Sequence, residues 1–205
     1  MDLKNIKSIE DVMSLLDQMG IQEIFQYRLH LDTETDRGCA LMTAAFLEEQ
    51  LKGLLEKTLV HDSEVFKDLF SGTGGLATFS SKINLCYLMG LIAPSVQRDL
   101  HLIRKIRNEF AHSMQIIDFN HSSIASRCRE LQHNVFQDEL APRKAFNRVA
   151  FGIAGLLNGA KTMAEKLEMH KDINFGSEEF QKGLKPVAEI MKFYSDFKQQ
   201  QESEQ

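Results

Sequence analysis

Apolar side chains recur at intervals of three and four residues along most of this 205-residue chain. In the clearest stretch they share one helix face, because one helical turn takes about 3.6 residues. Its members are Ala40, Ala44, Leu47, Leu51, Leu54 and Leu55. Asp32 or Thr33 is placed to cap this helix, which we expect to end near Leu59. No segment alternates as a half-buried strand does, so the pattern predicts an all-α protein.

The same spacing predicts further helices on both sides of this stretch. Their approximate ranges are 9–20, 22–29, 63–70, 78–90, 94–110, 123–136, 142–169 and 177–197. Pro94 and Pro142 suit the first turn of a helix, whereas Pro186 should kink or interrupt the last one. We expect these helices to form one domain, a multi-helix bundle over residues 1–198. Residues 199–205 are all polar and are predicted to form a disordered tail.

The helix that begins at Pro142 carries three glycines, Gly152, Gly155 and Gly159, on one ridge. Glycine inside a helix costs about 1 kcal/mol relative to alanine, so a ridge of three needs a reason. Close approach of another helix is the simplest reason, and a homodimer contact is a specific version of it. We therefore expect close packing at this ridge and a homodimer.

Composition narrows the classes of function. The chain has 24 Lys and Arg against 29 Asp and Glu, a net charge of −5, which argues against a free-standing DNA-binding domain. Cys39, Cys86 and Cys128 are far apart, and there is no His-Glu-x-x-His, so we expect no metal and no cofactor. No apolar signal segment opens the chain, and its most apolar run, residues 149–157, is too short to cross a bilayer. These features predict a cytoplasmic protein.

The strongest candidate chemistry lies at residues 107–112. Arg104, Asn108 and His112 are spaced by four and therefore lie on one stripe of the predicted helix. Arg107 instead falls in register with the apolar residues, where an arginine is costly unless it is paired or lines a cleft.

A structural interpretation accounts for this arginine by pairing it. Asp36 and Arg37 sit at the start of a strongly apolar helix and also need partners. We expect both to lie beside the 107–112 segment, with Arg107 tied by Asp36 or Glu109 and His112 capping the helix end.

A chemical interpretation uses the same residues for RNA cleavage. Arg107 would bind a phosphate with its bidentate guanidinium, and Asn108 would orient His112. His112 would then move a proton near neutral pH, which is enough to cleave RNA without a metal. Both interpretations stay open at this point.

Several blocks of the sequence look familiar. Arg107-Asn108-x-x-Ala-His112 resembles the Arg-x4-6-His motif of the HEPN superfamily. Residues 34–41, 75–83 and 102–112, with the Arg-Cys-Arg at 127–129, resemble the mannitol operon repressor family over roughly residues 30–135. The resemblance implies an all-α, HEPN-like fold and a regulatory role in mannitol utilisation. Proteins of this family lack a recognisable DNA-binding motif, and this sequence shows no convincing helix-turn-helix.

The resemblance favours one hypothesis over two others. The favoured one is a cytoplasmic repressor of a mannitol transport and catabolism operon, a non-enzymatic homodimer that acts through a protein partner. The alternative is a HEPN-type, metal-independent endoribonuclease that uses Arg107, Asn108 and His112 across a dimer. Direct DNA binding ranks last because of the net charge. The residues proposed for it are Arg98, Lys105, Arg143, Lys144 and Arg148. The motif residues of the favoured hypothesis are Asp36, Arg37, Arg104, Arg107, Asn108 and His112.

Overall fold

A computed structural model describes residues 8–18, 20–133 and 141–203. Within these ranges all regular structure is helical, which confirms the predicted all-α fold. The helices are α1 Ile9–Gln18, α2 Gln22–Leu31, α3 Asp36–Thr58, α4 Ser63–Phe70, α5 Phe79–Leu88, α6 Pro94–His112, α7 Ser122–Arg129, α8 Pro142–Met163 and α9 Glu178–Ser203. The chain divides into two compact units, Met1–Leu167 and Glu168–Gln205, which are described separately.

Helix α3 is the centre of the first unit. It packs against α8, α6 and α5, while α7 packs against α6 and α8, and α2 packs against α8. The apolar face predicted for α3 is wholly buried, and it meets the apolar faces of α6 and α8. Phe110 of α6 and Phe146 of α8 both contact the ring of Phe119, with centroids 5.0 and 5.1 Å from it. These three rings join the helices beside the start of α3.

Side-chain and backbone caps set the helix starts. Thr35 caps α3 by accepting a hydrogen bond from the Gly38 amide at 3.0 Å. The expectation that Asp32 or Thr33 caps α3 was wrong, because their amides close the turn that ends α2. Pro94 and Pro142 occupy the first turns of α6 and α8, as predicted.

Two predicted helices end earlier than their periodicity suggested. Helix α7 stops at Arg129, because the carboxylate of Asp99 accepts the amides of Gln132 and His133 and holds them out of a helix. Residues 134–136 of the predicted helix lie outside the described residues. Helix α8 stops at Met163, and the Leu167 amide donates to the Thr58 carbonyl at 2.7 Å.

The glycine ridge of α8 faces open space in the described part of the chain. A Cβ atom added at Gly152, Gly155 or Gly159 would meet no atom within 4 Å. The expected close approach of another helix within the chain was therefore wrong for these residues. The dimer version of that expectation stays a prediction.

The second unit contains α9, which continues through Pro186 to Ser203. Its start is fixed locally, because the Gln181 side chain donates to the Phe175 carbonyl at 2.7 Å and the rings of Phe175 and Phe180 meet edge to face. The helix extends into residues for which composition predicts disorder, and the domain limits 1–198 and 199–205 stay a prediction. Among the described helices, none is long and apolar enough to cross a membrane.

Candidate protein-interaction site on helix α6

The candidate residues lie on the second half of α6. Its inward face is filled by apolar residues such as Leu100, Ile103 and Phe110, all fully buried. Because each residue turns a helix by about 100°, Arg104, Asn108 and His112 share a stripe away from this core. Arg104 and Asn108 are half-buried, and His112 is exposed.

Arg107 points toward α3 and not toward His112. Its Nη2 atom lies 4.0 Å from Oε2 of Glu48, and it keeps about a third of its side chain exposed. Lys82 of α5 shares the same carboxylate at 2.7 Å and also donates to the Ala77 carbonyl at 3.2 Å. Glu48 therefore links α3, α5 and α6, and it replaces Asp36 and Glu109 as the partner of Arg107.

Asn108 and His112 do not form the predicted pair. Neither side chain has a hydrogen-bond partner among the residues that the structure describes. Asn108 does not orient the imidazole, and the imidazole does not cap the helix. His112 lies five positions after Arg107, which places their side chains about 140° apart around the helix. Within one chain, the two do not converge on a common point.

Asp36 and Arg37 instead hold the loop that follows α6. Arg37 donates to the carbonyls of Ser113, at 2.9 Å, and Gln115, at 3.3 Å. Asp36 accepts the Phe119 amide at 2.8 Å and pairs with Arg143 of α8 at 2.7 Å. Both residues thus lie next to the end of the candidate segment, but with partners other than those predicted.

Arg143 is held by three acceptors at the start of α8. Besides Asp36, it donates to the backbone carbonyls of Leu31, at 2.9 Å, and Glu34, at 2.6 Å. A charge-assisted hydrogen bond is stronger than a neutral one, so Arg143 joins α2, α3 and α8 firmly.

Glu109 belongs to a separate cluster with α7. It accepts hydrogen bonds from Ser123 and Arg127, and His121 lies 3.5 Å away. Burial opposes ionisation of this carboxyl, but the bonds from Ser123 and Arg127 outweigh it and lower the pKa of Glu109. Glu109 is therefore fully occupied within the fold.

Asp99 is a structural residue that sequence reasoning missed. It is completely buried, and its carboxylate accepts the amides of Gln132 and His133 and the Nδ1 atom of His133 at 2.8 Å. Its position was a usable signal, because it lies three residues after Val96 and four before Ile103, on the apolar face. A carboxylate in that register needs several donors.

The outward side of α6 is rich in basic side chains. Arg98, Arg104 and Lys105 have no acidic partner among the described residues, and the buried Nε of Arg104 has no acceptor there. Burial, and then the nearby Arg104 and Lys105, lower the pKa of His101, so this imidazole adds little charge at neutral pH. What we call the cationic face consists of Arg98, His101, Arg104, Lys105 and the exposed His112.

The described residues offer no alternative centre of metal or thiol chemistry. No group of three or more His, Cys, Asp and Glu side chains among them could hold a metal ion. The three cysteines are buried, and burial raises the pKa of each thiol.

Comparison with known proteins agrees with the resemblance noted in the sequence. The model of the family MtlR, mannitol repressor, matches residues 28–148. The chain is similar to a chain in the X-ray structure of the MtlR–HPr complex from Escherichia coli, with a TM-score of 0.56 and 19% sequence identity. That similarity covers 65% of this chain and 97% of the other, and at this identity it shows a shared fold. Curated proteins gave no match. Because the family model spans more than half of the chain, the protein belongs to the mannitol repressor family.

Proposed function

We propose that this protein regulates a mannitol operon by binding a protein partner of the HPr kind, and that it represses transcription without contacting DNA itself. The family match over residues 28–148 carries this proposal. The structural neighbour supports it, since that chain comes from a complex of MtlR with HPr. A net charge of −5 also favours a protein partner over DNA.

The cationic face is the surface that we propose for the partner. Charges that have no partner inside a fold are free to pair across an interface, where they steer association and fix the register. Arg37 supports this surface from behind by anchoring the loop that follows His112. We expect the partner to present carboxylates to Arg98, Arg104 and Lys105.

Calorimetric titration with HPr from the same organism tests the surface. The double variant Arg104→Glu and Lys105→Glu should weaken binding by about tenfold or more, because it replaces attraction by repulsion. Lys57→Glu is the control, since Lys57 is exposed and lies on α3, outside the cationic face. Equal loss in the control, or no binding by the unmodified protein, would contradict the proposal.

Regulation itself is tested in cells. Deleting the gene should raise expression from a mannitol-operon reporter, and the double variant should fail to restore repression although it accumulates normally. Unchanged reporter expression after deletion would contradict the regulatory role, whether or not the protein binds HPr.

One observation keeps the endoribonuclease as a second candidate. His112 is exposed and has no hydrogen-bond partner in the described part of the chain, as a catalytic imidazole awaiting substrate would be. Arg107 lies on another side of the helix, so a shared site would need residues from a second copy. In both candidates we infer a homodimer.

A further inference from the structure

Helix α9 carries a row of apolar side chains, which we call the α9 seam, and it lies outside the family match at residues 28–148. Successive members are alternately four and three residues apart, which is the spacing by which two helices pack along their length. In heptad terms, Leu184 and Met191 occupy a positions, and Val187 lies at d between them. The seam consists of Phe180, Leu184, Val187, Met191 and Tyr194, with Ile190 and Phe197 along one edge.

The α9 seam is open to solvent in the described part of the chain. Leu184 is 39% exposed, and five further members are 51–67% exposed, namely Val187, Ile190, Met191, Tyr194 and Phe197. Folded monomeric proteins rarely leave so many large apolar side chains uncovered side by side. At roughly 100 Å² for each of these six side chains, one copy offers about 600 Å², and two copies together bury about 1,200 Å². That area is the lower end of what a specific interface needs.

The placement of the charges on α9 favours an identical helix as the occupant of the seam. All five charged residues within residues 180–197 lie at b and f positions, which face away from a packed helix. They are Lys182, Lys185, Glu189, Lys192 and Asp196. The e and g positions, which flank the seam, carry no charge in this stretch, so two identical copies do not repel each other there. A partner selected by opposite charge would instead need charged flanks on α9.

We propose that α9 of one protomer packs along α9 of its partner, and that this contact holds the homodimer together. The proposal rests on the homodimer inferred with the proposed function, but not on HPr or on regulation of the operon. Val187 lies at the centre of the seam, seven residues from both Phe180 and Tyr194. A two-fold axis therefore brings the two Val187 side chains together whether the helices run parallel or antiparallel.

Light scattering of the full chain from about 1 to 200 μM tests the contact, and we expect a dimer that dissociates on dilution. The double variant Leu184→Glu and Met191→Glu places like charges in the seam of both copies, so it should raise the dimer dissociation constant by at least about tenfold. Phe193→Glu is the matched control, because Phe193 is 72% exposed on the same helix but lies at a c position outside the seam. It should leave the dimer unchanged, and all variants should keep the helical signal in circular dichroism.

A cysteine at the centre of the seam gives a second, independent measurement. Val187→Cys should form a disulfide between two copies under mild oxidation, because the bond needs Cα atoms within about 7 Å and the two-fold axis supplies that approach. Phe193→Cys should stay unlinked. The three native cysteines are buried and do not compete.

Several outcomes overturn the proposal. A monomer at every concentration does so, as does a dimer that persists in the double variant or an equal loss of dimer in Phe193→Glu. Packing of the seam against its own chain would appear as a monomer whose melting temperature falls in the double variant, and this also overturns it. HPr titration and the operon reporter do not measure α9, so the proposed function and this contact can fail separately.

Discussion

Helices α6 and α8 are similar on the side that packs against α3 and differ in the side chains on the opposite side. Both begin with a first-turn proline, both bury one face against α3, and both place one polar side chain in that face. In α6 that side chain is Asp99, whose carboxylate is satisfied by three donors from the loop after α7. In α8 it is Asn147, whose Oδ1 atom accepts one hydrogen bond from the thiol of Cys39.

The outward sides of the two helices differ more. That of α6 carries Arg98 and Lys105, whereas the second half of α8 carries glycines with open space around them in the described part of the chain. The inward sides are alike because both fill the same core, so their residues are determined by the packing of the fold. The outward sides are free of that constraint, and their differences indicate which surfaces serve binding.

The largest loss of stability is expected for Asp99→Ala, on the inward side of α6. The change leaves two backbone amides and His133 without their acceptor, and it should reduce the free energy of unfolding by about 3 kcal/mol. Urea denaturation followed by circular dichroism measures the loss. Asp99→Asn keeps one acceptor oxygen and should lose less. A loss below about 1 kcal/mol in Asp99→Ala would show that the carboxylate is not structural.

A smaller effect is expected for Asp36→Ala, where α8 meets α3. The variant removes the ion pair with Arg143 and the acceptor of the Phe119 amide, but about a quarter of the Asp36 side chain is exposed. Solvent therefore weakens the pair, and the loss should be about 1–2 kcal/mol. The double variant Asp36→Ala and Arg143→Ala isolates the pair by a double-mutant cycle. Additive losses would show that the ion pair contributes nothing of its own.

A gain is expected on the outward side of α8. Gly155→Ala should stabilise the fold by about 0.5–1 kcal/mol, because the added methyl meets open space and alanine favours a helix. If the ridge also forms a homodimer contact, Gly155→Leu should shift light scattering toward the monomer while the helical signal is kept. A dimer that is unchanged in Gly155→Leu would place the contact elsewhere. A monomer in the unmodified protein would remove the dimer altogether.

The smallest effect on stability is expected for His112→Ala, within about 0.5 kcal/mol, because the imidazole is exposed and has no hydrogen-bond partner among the described residues. That makes it a clean test of RNA cleavage. An endoribonuclease would cut RNA in the presence of a chelator, and the variant would lose about 10²–10⁴-fold of the rate. We expect no cleavage by either protein. Metal-independent cleavage that disappears in the folded variant would reverse the ranking of the two functions.

The sequence predicted which segments are helical better than it predicted which side chains contact one another. The α3 stretch and the first-turn prolines were recognisable because they depend on neighbours along the chain. The early end of α7 was not, because Asp99 lies about thirty residues away and acts through the tertiary fold. The position of Arg107 on the apolar face correctly predicted that it needs a counter-charge. Its identity as Glu48 could not be predicted, because it depends on how α3 packs against α6.

The burial of the cysteines has a practical chemical consequence. Burial raises the pKa of the Cys86 and Cys128 thiols to about 12 and raises that of Cys39 as well. The thiolate is the reactive form, so the folded protein should resist alkylation at neutral pH until it unfolds. Above the ordinary thiol value of 9.0, the unfolded chain loses protons that the folded chain keeps, so stability should fall as the pH rises toward 12. Because the native thiols do not react in the folded protein, a single cysteine introduced on the surface of α6 can be labelled selectively.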